Sequence, residues 1–261
     1  MDLNLKNKKA LVCGSTQGIG KATAIALALE GVNVTLVARN EDKLKEVLSE
    51  LPNKNQEHNY IVADFQNPEG LRVKITEFIK QKHGFHILVN NTGGPKGGPI
   101  FTANLSEFEN TFTQHLKCNH VLVQAVVPSM KEYGYGRIIN VISTSVKQPL
   151  DGLGVSNTIR GAVASWAKTL ANELGQFNIT VNNVLPGATA TERLSEIIGN
   201  KASKIDKSMD EVADVMKDSV PMKRFAQPEE IANAITFLSS EAAGYINGIN
   251  LPVDGGRTKS L

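Results

Sequence analysis

Three glycines, Gly14, Gly18 and Gly20, punctuate the stretch KALVCGSTQGIG from Lys9 onward and suit it to hold a phosphate. Glycine leaves no side chain between the backbone and a pyrophosphate. The helix spelled by Ala22, Ile25, Ala26 and Leu29 would aim its free N–H groups and positive dipole end at the same anion. The plain alternative is a ligand-free turn, because the spacing is G-x3-G-x-G rather than G-x-G-x-x-G. Other residues with chemistry to offer lie far apart in the chain: Arg39, Asp64, Asn90, Lys96, His115, Ser143 and Arg160. Ser143 has a hydroxyl that can polarise a carbonyl, and His115 belongs to the residue type that titrates near neutral pH. Cys13 and Cys118 form no metal-ligating pattern. They read as inert core thiols in a reducing cytoplasm, and no metal site is expected.

Positioning such scattered residues requires a scaffold that gathers them. Apolar runs at 10–13, 32–38, 60–65, 86–90, 137–143, 179–184 and 248–253 have the length of buried strands. Helical patterns separate them. Asn40 can cap one helix and Pro68 can begin the next, ending near Gly84. A long helix is predicted from about 105 to 131. Another over 151–175 carries Ile159, Val163, Trp166, Leu170 and Leu174 on one face. Residues 188–220 read as short helices. Strands alternating with helices predict an α/β fold: a Rossmann-type, doubly wound parallel sheet of about seven strands with helices on both faces. Ligands then gather beyond the C-terminal strand ends. Gly14, Ala38-Arg39, Asp64, Asn90, Ser143 and Pro186 all fall at such ends.

The chain has 261 residues and a net charge of +2. That length suits one domain, 1–261, able to bury roughly three quarters of its unfolded surface. Charges are mixed, no basic run suggests nucleic acid, and no apolar run reaches membrane length. The N-terminal MDLNLKNKK lacks a signal-peptide core, so a cytoplasmic location is expected.

Taken in order, six marks resemble the short-chain dehydrogenase/reductase family. They are Gly14-Ser15-Thr16-Gln17-Gly18-Ile19-Gly20, Asp64, Asn90-Asn91-Thr92-Gly93, Ser143, Pro186-Gly187 with Thr191, and Pro228-Glu229-Glu230-Ile231-Ala232 leading to Asp254-Gly255-Gly256. The likeness spans nearly the whole chain and is nearest to 3-oxoacyl-[acyl-carrier-protein] reductases. It implies hydride transfer with NAD(P)H in a homodimer or homotetramer. It also implies that Gly14 to Gly20 hold the pyrophosphate, Asp64 the adenine amino group, and Asn90 and Gly93 the adenosine ribose and adjoining turn. Pro186, Gly187, Thr189 and Thr191 match the nicotinamide segment, and 188–220 matches a substrate lid. Within that lid Leu194, Ile197, Ile198, Met209 and Met216 could line an apolar pocket, or simply pack the lid helices. NAD enzymes tend to place a carboxylate at the second strand end, where Ala38-Arg39 stands here. Arg39 can pair with a 2′-phosphate, so NADP(H) is favoured over NAD(H). The alternative for Arg39 is a solvated surface residue.

The catalytic half departs from the family, whose Tyr-x3-Lys follows the serine by thirteen residues. Thirteen beyond Ser143 stands Ser156, and four beyond that Arg160. The four tyrosines, Tyr60, Tyr133, Tyr135 and Tyr245, are followed four residues on by Asp64, Arg137, Ile139 and Ile249, so the pair exists nowhere. The family's asparagine position holds His115, with Asn119 one turn later. Ser156 is too short and too weakly acidic to replace a phenol, while Arg160 keeps a charge that can bond the nicotinamide ribose but relays protons poorly. His115 could donate a proton, directly or through water, or could be a satisfied helix histidine. Lys96 is a further possible donor or a solvated loop residue. Two functions follow. One is an NADP(H)-dependent oxidoreductase reducing a small-molecule or acyl-thioester carbonyl, with Ser143, Ser156, Arg160 and His115 at its centre. The other is a catalytically silent dinucleotide-binding sensor or scaffold of the same fold.

Overall fold

The computed structural model of the protein describes residues 2–260. Its first half runs β1 (Lys9–Cys13), α1 (Gly18–Leu29), β2 (Asn33–Ala38), α2 (Glu41–Glu50), β3 (Asn59–Val62), α3 (Pro68–Lys82) and β4 (Ile87–Asn90). The second half begins with α4 (Leu105–Phe112), a π turn (Thr113–Lys117) and α5 (Cys118–Glu132), which together form one continuous helical run. β5 (Gly136–Val141), α6 (Gly154–Leu174), β6 (Ile179–Pro186), α7 (Glu192–Ile205), α8 (Met209–Asp218), α9 (Pro228–Leu238) and β7 (Asn250–Val253) follow.

The seven strands form one parallel sheet in the order β3-β2-β1-β4-β5-β6-β7. This is the expected doubly wound sheet, and its order reverses between β1 and β4. Strands covered on both faces need no polar alternation, and β1 and β5 are accordingly buried almost throughout. On one face Ala24 and Leu27 of α1, Leu44 of α2 and Ile231 and Ile235 of α9 pack on the sheet. On the other lie Leu71 and Ile75 of α3, Leu122 and Val126 of α5, and Ala167 and Ala171 of α6.

Local signals set the helix ends. The Asn40 side chain accepts from the Lys43 amide at 3.0 Å, and Asn67 accepts from the Gly70 amide at 2.9 Å just before Pro68; both are N-caps. The helix expected over 151–175 starts later, at Gly154. The Gly/Pro-rich loop is laced to the residues ahead of it: the Gly98 amide donates to the Gly152 carbonyl at 2.7 Å and the Gly154 amide to the Gly98 carbonyl at 3.2 Å. The helix expected over 105–131 is present but interrupted by the π turn. That turn turns His115 into the protein, where it is 1 % exposed. Single π turns of this kind are frequent at functional sites.

Candidate active site

The glycine turn is built for close approach. Gly14 has φ +59° and Gly18 φ +52°, both left-handed, and a Cβ on Gly20 would lie 2.0 Å from the Gly14 carbonyl oxygen. Only glycine fits there. Gln17 provides no side-chain cap to α1, and no acidic residue stands in its first turn. The N–H groups of that turn are therefore left for an external anion. The residues fit a dinucleotide pyrophosphate. Ser15 has a more specific place than the motif suggests: it is fully buried, and its Oγ accepts from the Val37 amide at 3.1 Å, tying the turn to β2. Asn91, within the Asn90-to-Gly93 motif, has a structural role of its own. Its Nδ2 donates to the Cys13 and Gly14 carbonyls, both at 3.3 Å, and so pins the turn to β4.

Around this turn the other expected cofactor residues gather. Arg39 is exposed at the end of β2, and no ion pair among the described residues involves it. Asp64 is exposed beyond β3, where one carboxylate oxygen accepts from the Gln66 amide at 3.0 Å. Gly93 is exposed, with open space around its α-carbon. The Gly187 amide donates to Val253 at 2.9 Å, the Thr189 hydroxyl donates to the Gly187 carbonyl at 3.1 Å, and Thr191 caps α7 through the Leu194 amide. A Cβ on Gly18 would come 3.0 Å from Thr191 Cγ2, so the two halves of the site meet across the cleft.

Asn90, expected to line the adenosine ribose, also has a place within the sheet. It is 2 % exposed, and its Nδ2 donates to Asn140 Oδ1 at 2.9 Å. Asn140 donates in turn to Asn183 at 2.9 Å, and Asn183 to Asn250 at 2.8 Å. The strand registers align these four residues across β4, β5, β6 and β7. The Asn90 amide nitrogen therefore serves the sheet, while its Oδ1 has no partner among the described residues. No spacing in the sequence announces this ladder, because it depends on register.

At the catalytic end Ser143 follows β5 in extended conformation and caps a 3-10 turn over Thr144–Val146. Its Oγ accepts from the Ser145 amide at 3.1 Å. That bond uses a lone pair, so the hydroxyl proton is free to be donated. Ser156 is half-buried on α6 and makes no hydrogen bond among the described residues. Arg160, one turn further on, is 8 % exposed. Its Nη1 donates to the Val141 carbonyl at 3.0 Å, two residues before Ser143. Burial pushes its guanidinium down to about 10, and no carboxylate pairs with it among the described residues.

His115 packs against the same charge. Burial, and then the Arg160 charge beside it, hold its pKa well below the ordinary range, while the Gly93 backbone acts weakly the other way. Neither ring nitrogen has a hydrogen-bond partner among the described residues. His115 is thus a neutral imidazole at physiological pH, which corrects the expectation of a group titrating near 6.5. It can offer an N–H to a bound molecule or water but holds no spare proton. Asn119, also buried, presents an unpartnered Oδ1. Lys96 is exposed on its loop.

The segment expected as a lid is α7 and α8. Leu194 and Ile198 are buried with Ala202 and Val212, and Met216 packs against them. These residues form a small core of α7 and α8, whereas Ile197 and Met209 are exposed. Arg193 of α7 donates to the Pro95 carbonyl at 2.8 Å and so fastens α7 to the Gly/Pro-rich loop.

Residues 14–258 match the family model described as enoyl-(acyl carrier protein) reductase. The chain is 30 % identical to the NADPH-dependent reductase BacG of Bacillus subtilis over 259 residues, covering 98 % of this chain and all of that one. It is 32 % identical to the 3-oxoacyl-[acyl-carrier-protein] reductase FabG of Staphylococcus epidermidis over 253 residues, covering 96 % of this chain and 98 % of that one. Among solved structures, L-sorbose reductase from Gluconobacter frateurii, crystallised with NADPH and L-sorbose, superposes with a TM-score of 0.94 at 33 % identity over the whole of both chains. The sheet order, the glycine turn and these end-to-end likenesses agree: this chain belongs to the short-chain dehydrogenase/reductase family.

Proposed function

We propose that this protein is an NADP(H)-dependent oxidoreductase that reduces a carbonyl, in the manner of a 3-oxoacyl-carrier-protein reductase. The observation that carries the reading is the pairing at the end of β5: Ser143 keeps a free hydroxyl proton, and the Arg160 guanidinium is bonded two residues upstream at Val141. When bound, NADPH supplies the hydride. Gly14, Gly18 and Gly20 hold its pyrophosphate against the N-terminus of α1, and Arg39 faces the 2′-phosphate. Pro186, Gly187, Thr189 and Thr191 orient the nicotinamide end. Ser143 donates its O–H to the substrate carbonyl. Arg160 bonds the ribose and supplies fixed positive charge where negative charge develops. The last proton comes from water, because Ser156 is too weak an acid and His115 is neutral. Loss of a positioned general acid lowers the rate by ~10²–10⁴ and leaves hydride transfer possible.

A second reading has its own support. With Ser156 in the acid's place and His115 neutral, the residues that would deliver a proton offer none near pH 7. A catalytically silent NADP(H)-binding sensor would look the same. NADPH oxidation against ketones, diketones and acyl thioesters separates the two. Turnover of any of them that Ser143→Ala abolishes supports the reductase. Tight NADPH binding with no turnover on the panel rejects it in favour of the sensor.

We further infer a homodimer or homotetramer. Phe101, in the loop before α4, is 96 % exposed and Leu105, the first residue of α4, is 80 % exposed, an apolar surface suited to an interface. A cytoplasmic location fits the two free buried thiols, Cys13 and Cys118.

A further inference from the structure

Beside the catalytic turn lies a cavity of about 80 Å³ lined by Thr144, Gln148, Leu150, Arg257 and Thr258. It has room for a group the size of a few water molecules. Thr144 directly follows Ser143, and Arg257 and Thr258 arrive from the turn after β7. Four of the five lining side chains are polar, and none of the four makes a side-chain hydrogen bond or ion pair among the described residues. Thr144 is 3 % exposed as a residue, and it lines the cavity.

The chemistry of the lining is one-sided. The arginine has five N–H donors and no acceptor, the hydroxyls and amide can all donate, and no carboxylate is present. The acid on the same turn, Asp254, is committed elsewhere. Asp254 accepts from the Gly256 amide at 3.0 Å and the Thr258 amide at 2.8 Å. Those bonds hold the turn, in which Gly255 has φ +64° and Gly256 φ +83°, and thereby fix where Arg257 and Thr258 stand. Val220 at the end of the lid packs on the same turn, since a Cβ on Gly255 would lie 2.8 Å from Val220 Cγ1.

We propose that this cavity is an oxyanion subsite, in which Arg257 with Thr144, Gln148 and Thr258 binds a carboxylate or phosphate carried by the substrate. A planar guanidinium fork matches a two-oxygen anion, and hydroxyl donors complete its coordination. The inference rests on the carbonyl-reductase reading and names its substrate class: a keto compound with a compact anionic group a short distance from the carbonyl. The anion neutralises a cation that the folded chain leaves unpaired, and it fixes which end of the substrate reaches Ser143.

Binding, which needs no turnover, is the test. 3-Hydroxybutyrate and its methyl ester are titrated calorimetrically into the protein, with and without saturating NADPH, and glycerol 3-phosphate and glycerol are compared in the same way. The parent should prefer the charged member of at least one pair by about tenfold or more, the range for a hydrogen-bonded charge. Arg257→Ala should collapse that preference, and Arg257→Lys should retain part of it. Preference within the first pair assigns a carboxylate, and preference within the second a phosphate. Equal affinity within both pairs, or a preference that survives Arg257→Ala, overturns the subsite. Circular dichroism confirms that the variants fold. Failure of the ketone panel to turn over would count against the reductase reading alone, because the titrations do not depend on it.

Discussion

Arg160 is buried without an acidic partner, and its removal should stabilise the empty protein. The variant Arg160→Met keeps an unbranched apolar stem in the same place and deletes the charged guanidinium. Burial lowers the guanidinium to about 10 from an ordinary value above 12. At about 1.4 kcal/mol for each tenfold change, the buried charge costs roughly 3 kcal/mol. The variant also loses the 3.0 Å bond from Nη1 to the Val141 carbonyl, worth ~1 kcal/mol. The net expectation is ~2 kcal/mol of added stability, in line with replacements of buried ionic groups by apolar ones of similar volume. For a chain of this size that corresponds to a rise of ~4–8 °C in Tm. The cost falls on the protonated form, so it is present in full below a pH of about 10 and fades as pH rises beyond it. The difference between variant and parent should therefore be constant from about pH 7 to pH 9. Urea unfolding of both proteins without cofactor measures it. The same experiment with saturating NADPH should show the reverse order of benefit, because the variant has lost a ribose contact and gains less from ligand. An empty Arg160→Met protein less stable than its parent would refute the reasoning.

Three further outcomes are expected. Ser156→Tyr combined with Arg160→Lys should raise carbonyl reduction ~10²-fold while either change alone does little, because the two residues act as a unit; steady-state kinetics on one ketone that leave the double variant no faster than the parent would exclude a merely degraded acid site. The pH profile of kcat/KM should show no step near 6.5 from His115, and stability should fall as pH drops below about 6.5, since the unfolded chain then takes up a proton that folded His115 refuses; His86, held near 4 chiefly by burial and then by Lys8 and Lys9, adds to that loss between about 6.5 and 4. A kinetic step near 6.5 that His115→Asn removes would restore His115 as the donor. Arg39→Ala should weaken NADPH by ~1.5–3 kcal/mol and leave NADH nearly unchanged, and equal losses for the two cofactors in calorimetry would show that Arg39 is only a surface residue.

The glycine spacing, the apolar strand runs and the caps at Asn40 and Pro68 are local signals. Backbone conformation and burial periodicity depend on near neighbours, so the sequence alone determined the strands, their alternation with helices and the phosphate-holding turn. It also determined that the family's Tyr-x3-Lys is absent, a matter of counting from Ser143 to Ser156 and Arg160. What tertiary structure decided depends on groups distant in the chain. The protonation state of His115 follows from its burial and the Arg160 charge from a different helix, and no spacing reports either. The bond from Asn90 to Asn140 exists only because strand register sets them side by side. The Ser15 hydroxyl meets the Val37 amide for the same kind of reason. Arg257 meets Thr144 across more than a hundred residues only because β5, β6 and β7 are neighbours in the sheet. Desolvation and polar pairing are set by what the fold brings together, and side chains far apart in sequence acquire their chemistry only there.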